Sequence, residues 1–246
     1  MTSSCQAPQH GHWTETISSL TAGSLSGSSP TMAAMRVKIC GIRRVEDALT
    51  VVQAGADAVG CLVGLDYAAP DGIDPQTARG IFAALPPFVA RVLVTHRTVL
   101  AEVTALMRES GATVAQLHGD FPLVAISALR EALPYTAIIK SVHVTGEDAI
   151  AAALAAARVA DAILLDTRTP GRLGGTGTTH DWSISATIAS ASPRPVMLAG
   201  GLTPENVAAA IAKVRPFAVD ANSGTRGADG WKDVAKIRAF VLNART

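Results

Sequence analysis

The chain has 246 residues, 48% of them hydrophobic and 17% charged, with a formal net charge of +1. That length suits one well-buried α/β domain or two small ones. A charge so near zero gives no single-signed field to gather nucleic acid or anionic lipid, and no uncharged apolar run is long enough to suggest a membrane helix. Three cysteines, Cys5, Cys40 and Cys61, form neither a metal spacing nor an even disulfide set, so free thiols in a reducing cytoplasm are expected.

Residues 1–34 are rich in Ser, Thr and Gly, carry no Lys or Arg and show no apolar period. Such a segment buries too little apolar surface to offset its ordering entropy, so it is expected to be disordered. It has neither the basic start and apolar stretch of a secretory signal nor the arginines of a mitochondrial one. With Met32 and Met35 just ahead of the first strand, it reads as an upstream-extended start, and Cys5, His10, His12 and Trp13 are left out of any site.

From Arg36 the chain alternates. Apolar, β-branched runs fall at 37–40, 58–63, 90–95, 113–117, 136–140, 162–166, 195–199 and 217–220. Amphipathic, alanine-rich stretches lie between them, near 45–54, 75–84, 98–110, 122–132, 147–157, 182–190, 203–212 and 231–243. Continuous apolar strands, each followed by a helix, predict a parallel sheet covered on its outer face. Eight such units in residues 35–246 predict a single (β/α)8 barrel; a doubly wound open sheet would require a reversal of strand order. Asp74-Pro75, Thr98 and Thr203-Pro204 read as helix entrances, and Asp181 as the cap of the sixth helix.

Two runs end on an ionisable side chain. Val37-Lys38-Ile39-Cys40-Gly41 closes on a thiol, and Ala162-Ile163-Leu164-Leu165-Asp166 on a carboxylate. The carboxyl ends of barrel strands are where this architecture presents reacting groups. Cys40 and Asp166 are therefore the candidate proton-transfer pair. Lys38, two residues before Cys40, shares its side of the strand and is expected to favour the thiolate. Cys61 sits within its run and reads as core. A dry, unpartnered carboxylate would cost several kcal/mol, so Asp166 belongs at the wet mouth.

Glycine-bearing loops follow the last three strands: Gly174-Gly175-Thr176-Gly177, Gly200-Gly201-Leu202-Thr203-Pro204 and, after Asp220, Asn222-Ser223-Gly224. Backbone N–H groups freed by glycine converge on anions, and the loops after strands seven and eight are where this fold holds phosphate. Gly175, Gly177, Gly200, Gly201, Asp220, Asn222, Ser223 and Gly224 are the candidate phosphate and substrate contacts. The stretch Gly171–Gly177 reads as a loop within the barrel. His118 ends the fourth strand and is expected at the mouth; His96 and Arg97 end the third. The spacing of the six histidines gives no metal cluster, and His143 looks incidental.

Taken together, Val37–Gly41 with Glu46-Asp47-Ala48, Ala54–Gly60, Gln116-Leu117-His118-Gly119, Leu164-Leu165-Asp166, Gly174–Gly177, Leu198–Asn206 and Val219-Asp220 with Ser223-Gly224 resemble the phosphoribosylanthranilate isomerase family, the Amadori isomerases of tryptophan biosynthesis. The likeness runs from about residue 36 to the end of the chain. It implies a cofactor-free (β/α)8 isomerase of a phosphoribosylamine, with Cys40 as general base, Asp166 as general acid and the glycines after strands seven and eight as its phosphate grip. No metal is expected from the histidines, and the enzyme is taken as a cytoplasmic monomer or homodimer. The sequence departs from the family where the aromatic acid would sit. The family's Ser-Pro-Arg stretch, whose arginine contacts the anthranilate carboxylate, is here Gly64–Gly72, with no arginine and with Asp66 and Asp71. Strand three ends in His96-Arg97, the lysine after the strand-six glycines is Thr178, and the acid after Ser-Gly-x is Arg226. An acidic loop repels a benzoate carboxylate unless Arg97 or Arg226 compensates, so these two, with His118, are the candidate aglycone contacts. Two further readings fit the same residues: an isomerase of another phosphoribosylamine in specialised metabolism, and a non-catalytic phosphate-binding barrel.

Overall fold

The computed structural model describes residues 35–169, 172–173 and 181–246. The N-terminal 34 residues, Gly175, Gly177 and Thr178 lie outside the described residues. Eight parallel strands form the barrel: β1 (Arg36–Ile39), β2 (Ala58–Val63), β3 (Ala90–Thr95), β4 (Val114–Leu117), β5 (Ala137–His143), β6 (Ala162–Asp166), β7 (Val196–Leu198) and β8 (Ala218–Ala221). Each pairs with its successor, and β1 pairs with both β2 and β8, which closes the cylinder. The open-sheet alternative is thereby excluded. A two-residue strand, Gly72–Ile73, adds to the edge of β2, and Arg168–Thr169 pairs antiparallel with Arg172–Leu173 at the start of the loop after β6.

The strands alternate as their sequences require. Val37, Ile39, Val59, Cys61, Leu93, Ile163 and Leu165 join the layer between barrel and helices, where they are buried to 1% exposure or less. Fully burying an aliphatic side chain of this kind contributes roughly 1.5–3 kcal/mol, and Cys61 is core as expected. The intervening residues point into the barrel: Ile139, Leu164, Met197, Ala199 and Ala218 fill one part of its interior, with Cys40, Val92 and Val94 in another. Polar Lys38, Gln116, Ser141 and Asp220 are also buried, on the same inward side of the strands as Cys40.

The helices are α1 (Val45–Gln53), α2 (Pro75–Ala83), α3 (Leu100–Ser110), α4 (Ile126–Ala132), α5 (Asp148–Ala157), α6 (Trp182–Ala191), α7 (Val207–Val214) and α8 (Val234–Asn243). Asp74 caps α2 by accepting the Thr77 N–H at 2.7 Å, with Pro75 in the first turn, and Asp181 caps α6 by accepting the Ser183 N–H at 2.8 Å. Two expected entrances are displaced. The residue before α3 is Val99, with no side-chain cap, so Thr98 does not start that helix. Thr203 gives its N–H to Asn206 Oδ1 at 2.8 Å, and that closed turn delays α7 to Val207. Among the described residues no helix is long and apolar enough to cross a membrane.

Candidate active site

Cys40 follows β1 directly and is 6% exposed. Lys38, one inward position earlier, is buried at 1% exposure and donates to Asp220 Oδ2 at 2.8 Å. The two are register partners across the β1–β8 seam. Burial alone would lower the Lys38 pKa, but the Asp220 carboxylate and the Cys40 sulfur outweigh it and hold the ammonium. For Cys40 the balance falls the other way. Burial raises the thiol pKa, and Lys38 opposes this without overcoming it. The expected assistance from Lys38 is therefore present but smaller than desolvation. Space for the pair comes from Gly60 on β2: a β-carbon there would stand 2.9 Å from Cys40 Sγ and 3.1 Å from Lys38 Nζ.

Asp166 ends β6 and is 7% exposed. Burial pushes its carboxyl up to about 7, against the Thr167 N–H, which donates to Oδ1 at 2.8 Å. Oδ2 lies 3.4 Å from His118 Nε2, and the other ring nitrogen of His118 meets Ser141 Oγ at 3.0 Å. His118 is thus at the mouth, as expected, but it faces Asp166. Gly200, in the left-handed region at φ +84°, passes so close that any β-carbon would collide with Thr167 and with Asp166 Oδ1. The loop after β7 is seated on the candidate acid by that contact.

Gly200, Gly201 and Ser223 line the cavity, while Gly224 backs onto the Leu202 carbonyl with no room for a β-carbon. Among the described residues, the N–H groups of Gly200, Gly201, Ser223 and Gly224 donate to no backbone acceptor, leaving donors for an anion between the two loops. Asp220 also lines the cavity, but as the partner of Lys38; a second anion so placed would repel a phosphate rather than hold it. Asn222 is taken up by protein: its Nδ2 donates to Asp71 Oδ2 at 2.9 Å, while Oδ1 accepts from Arg226 at 3.0 Å and from Lys232 at 3.2 Å. It positions the loop after β8.

The two candidate arginines part company. Arg226 lines the cavity and is ion-paired to Asp71. Arg97 is absent from the lining; its guanidinium turns to Asp66 and Glu102, each 3.7 Å away. The acids that seemed to threaten an aromatic carboxylate instead hold arginines. Cys40, Asp166, Asp220, Asn222, Arg226 and the loops after β7 and β8 line one cavity of about 600 Å³. A row of rings forms one side: Tyr67 to His96 and His96 to His118 are each 5.5 Å between centroids. Sequence reading took Asp71 only as a repelling acid, gave no role to Tyr67 and set His143 aside as incidental. The first two lie on a loop without periodicity, and His143 joins His118 and Asp166 only because adjacent strands end together.

The profile of the N-(5'-phosphoribosyl)anthranilate (PRA) isomerase family matches residues 37–243. This chain belongs to that family. Its relatives include N-(5'-phosphoribosyl)anthranilate isomerase 2 of Methanosarcina mazei, 45% identical over 86% of this chain and 94% of the relative. The isomerase of Pseudomonas fluorescens strain Pf0-1 is 46% identical over 87% of this chain and all of its own length. Among solved structures, phosphoribosyl anthranilate isomerase from Thermotoga maritima superposes with a TM-score of 0.75 at 40% identity, covering 85% of this chain and 98% of that one. A further structure, 38% identical and with a TM-score of 0.72, is a phosphoribosyl anthranilate isomerase in complex with reduced 1-(o-carboxyphenylamino)-1-deoxyribulose 5-phosphate; it covers 85% of this chain and 98% of that one. The match begins where the barrel begins, so membership rests on the barrel.

Proposed function

We propose that the chain isomerises N-(5'-phosphoribosyl)anthranilate to 1-(o-carboxyphenylamino)-1-deoxyribulose 5-phosphate, with Asp166 as general acid and Cys40 as general base. The carrying observation is that a strand-end thiol and a strand-end carboxyl of raised pKa share one cavity with loops after β7 and β8 whose N–H groups donate to no backbone acceptor among the described residues. Asp166 protonates the ring oxygen as the C1–O bond breaks, and the nitrogen lone pair forms the iminium. The Cys40 thiolate then takes the proton from C2, and the C–H electrons neutralise the iminium to give an enolamine, which tautomerises to the ketone. The phosphate, held between the loops, orients C1 and C2 between the two groups. The aromatic ring lies along Tyr67 and His96, and Arg226, fixed by Asp71, meets its carboxylate.

On this reading the enzyme works in the cytoplasm, as monomer or homodimer; a relative from Thermotoga maritima is described as dimeric. The test is replacement of each proton carrier. Cys40→Ser and Asp166→Asn should each lower kcat by about 10²–10⁴-fold, the usual worth of a positioned acid or base, while binding of the reduced product analogue changes little. Either variant keeping more than about a tenth of wild-type turnover removes that residue from the mechanism.

A further inference from the structure

His118, His143 and Asp166 stand at the ends of three successive strands. His118 immediately follows β4, and His143 and Asp166 are the last residues of β5 and β6, where they are register partners. One ligand atom from each lies within 4.8 Å of the other two. A tetrahedral ion bound at about 2.0–2.1 Å sets its nitrogen and oxygen ligands about 3.3–3.4 Å apart. His118 Nε2 and Asp166 Oδ2 already stand at 3.4 Å. The His118 and His143 rings meet edge to face at 5.1 Å between centroids, which sets the third ligand beside the other two. Ser141 Oγ, 3.0 Å from His118 Nδ1, fixes that ring with its other nitrogen toward the cluster, as outer partners of metal-binding histidines do. His118 and Asp166 line the open cavity, which gives an ion an entry path and room for a water ligand.

We propose that the barrel mouth binds one divalent cation of the zinc class through His118 Nε2, a ring nitrogen of His143 and a carboxylate oxygen of Asp166, and that this ion inhibits turnover. The binding rests on geometry alone. The inhibition rests on the assignment of Asp166 as acid, because a carboxylate spent on a metal holds no proton to give. The nitrogens and the carboxylate favour zinc, cobalt and nickel over magnesium or calcium, whose shells are all oxygen.

The test titrates the full chain with Co²⁺, reading visible d–d absorption, and measures turnover against Zn²⁺ with and without a chelator. Wild type should take up one Co²⁺ with tetrahedral-type bands and lose activity to Zn²⁺ reversibly. His143→Gln, which alters no residue of the cavity wall, should keep metal-free activity and weaken both effects by at least about tenfold. The site is refuted if cobalt gives no d–d bands, if sulfur-to-metal charge transfer places the ion on Cys40, or if His143→Gln binds as wild type does. Binding through His143 without inhibition would leave the site standing and overturn the inhibition together with Asp166 as proton donor.

Discussion

Asp166 and Cys40 are shifted in the same direction by the same cause. Burial lifts the carboxyl to about 7 and raises the thiol as well, since Lys38 offsets only part of its desolvation. The pair that the proposed mechanism requires, thiolate with carboxylic acid, is therefore the minor form of the free enzyme, and it titrates together with the more abundant thiol and carboxylate. The sign follows. Below about 7 both groups are protonated, and each unit of pH increases the working pair tenfold. Between about 7 and the thiol's range it is constant, and above that range it falls. kcat/KM, which reports the free enzyme, should rise through about 7, level off, and decline at the higher pH where the thiol ionises. A profile that only falls through 7 would put the thiol's titration below that of Asp166. The strand-end placement of both residues was legible in the sequence, because an ionisable group closing an apolar strand must find a wet or paired place. The net effect of Lys38 was not, since it depends on how completely the neighbourhood excludes water. Nor could the sequence choose between Arg97 and Arg226: Asp66 and Asp71, which pair with them, lie far off along the chain, and only the folded loops decide which arginine is turned from the cavity.

At the scale of elements, the seam between β1 and β8 closes the cylinder, and its interior holds the buried Lys38–Asp220 pair at 2.8 Å. Asp220 Oδ1 has no donor among the described residues, so the pair is the main compensation for a dry carboxylate. Removing one member should be far worse than removing both. Lys38→Met is expected to destabilise by about 3–5 kcal/mol, the usual cost of leaving a buried charge alone, and Lys38→Met with Asp220→Asn should regain most of that. Urea unfolding of the two variants measures the difference; equal stabilities would mean that the seam does not depend on the pair. The strands were read to within a few residues because apolar runs that are buried on both faces are conspicuous. Helix entrances were less secure. Asp74 and Asp181 cap as their sequences indicate, whereas Thr203 is drawn into a turn by Asn206, a competition between two short polar side chains that propensity alone does not resolve.

For the molecule as a whole, eight repeated units were visible as alternation, and only the pairing of β1 with β8 makes them a barrel. Closure brings residues from opposite ends of the chain into one cavity, and the proposed mechanism divides that cavity into an anion end, at the loops after β7 and β8, and an aglycone end, where Arg226 leans on Asp71. If the ends act separately, they can be titrated separately. Orthophosphate at ten times its dissociation constant should stabilise the fold by about 1.4 kcal/mol through mass action, or about 3–6 °C in Tm for a domain of this size. Ser223→Asp, which sets a negative charge among the anion-binding N–H groups, should abolish that shift. Arg226→Ala should keep the shift and instead raise KM for the phosphoribosylamine by about tenfold or more, the equivalent of one charge-assisted hydrogen bond. Melting curves with and without phosphate, set beside steady-state kinetics on both variants, decide the matter. Loss of the phosphate shift in Arg226→Ala would move this arginine to the phosphate and leave the aromatic carboxylate to be held by another group on the cavity wall.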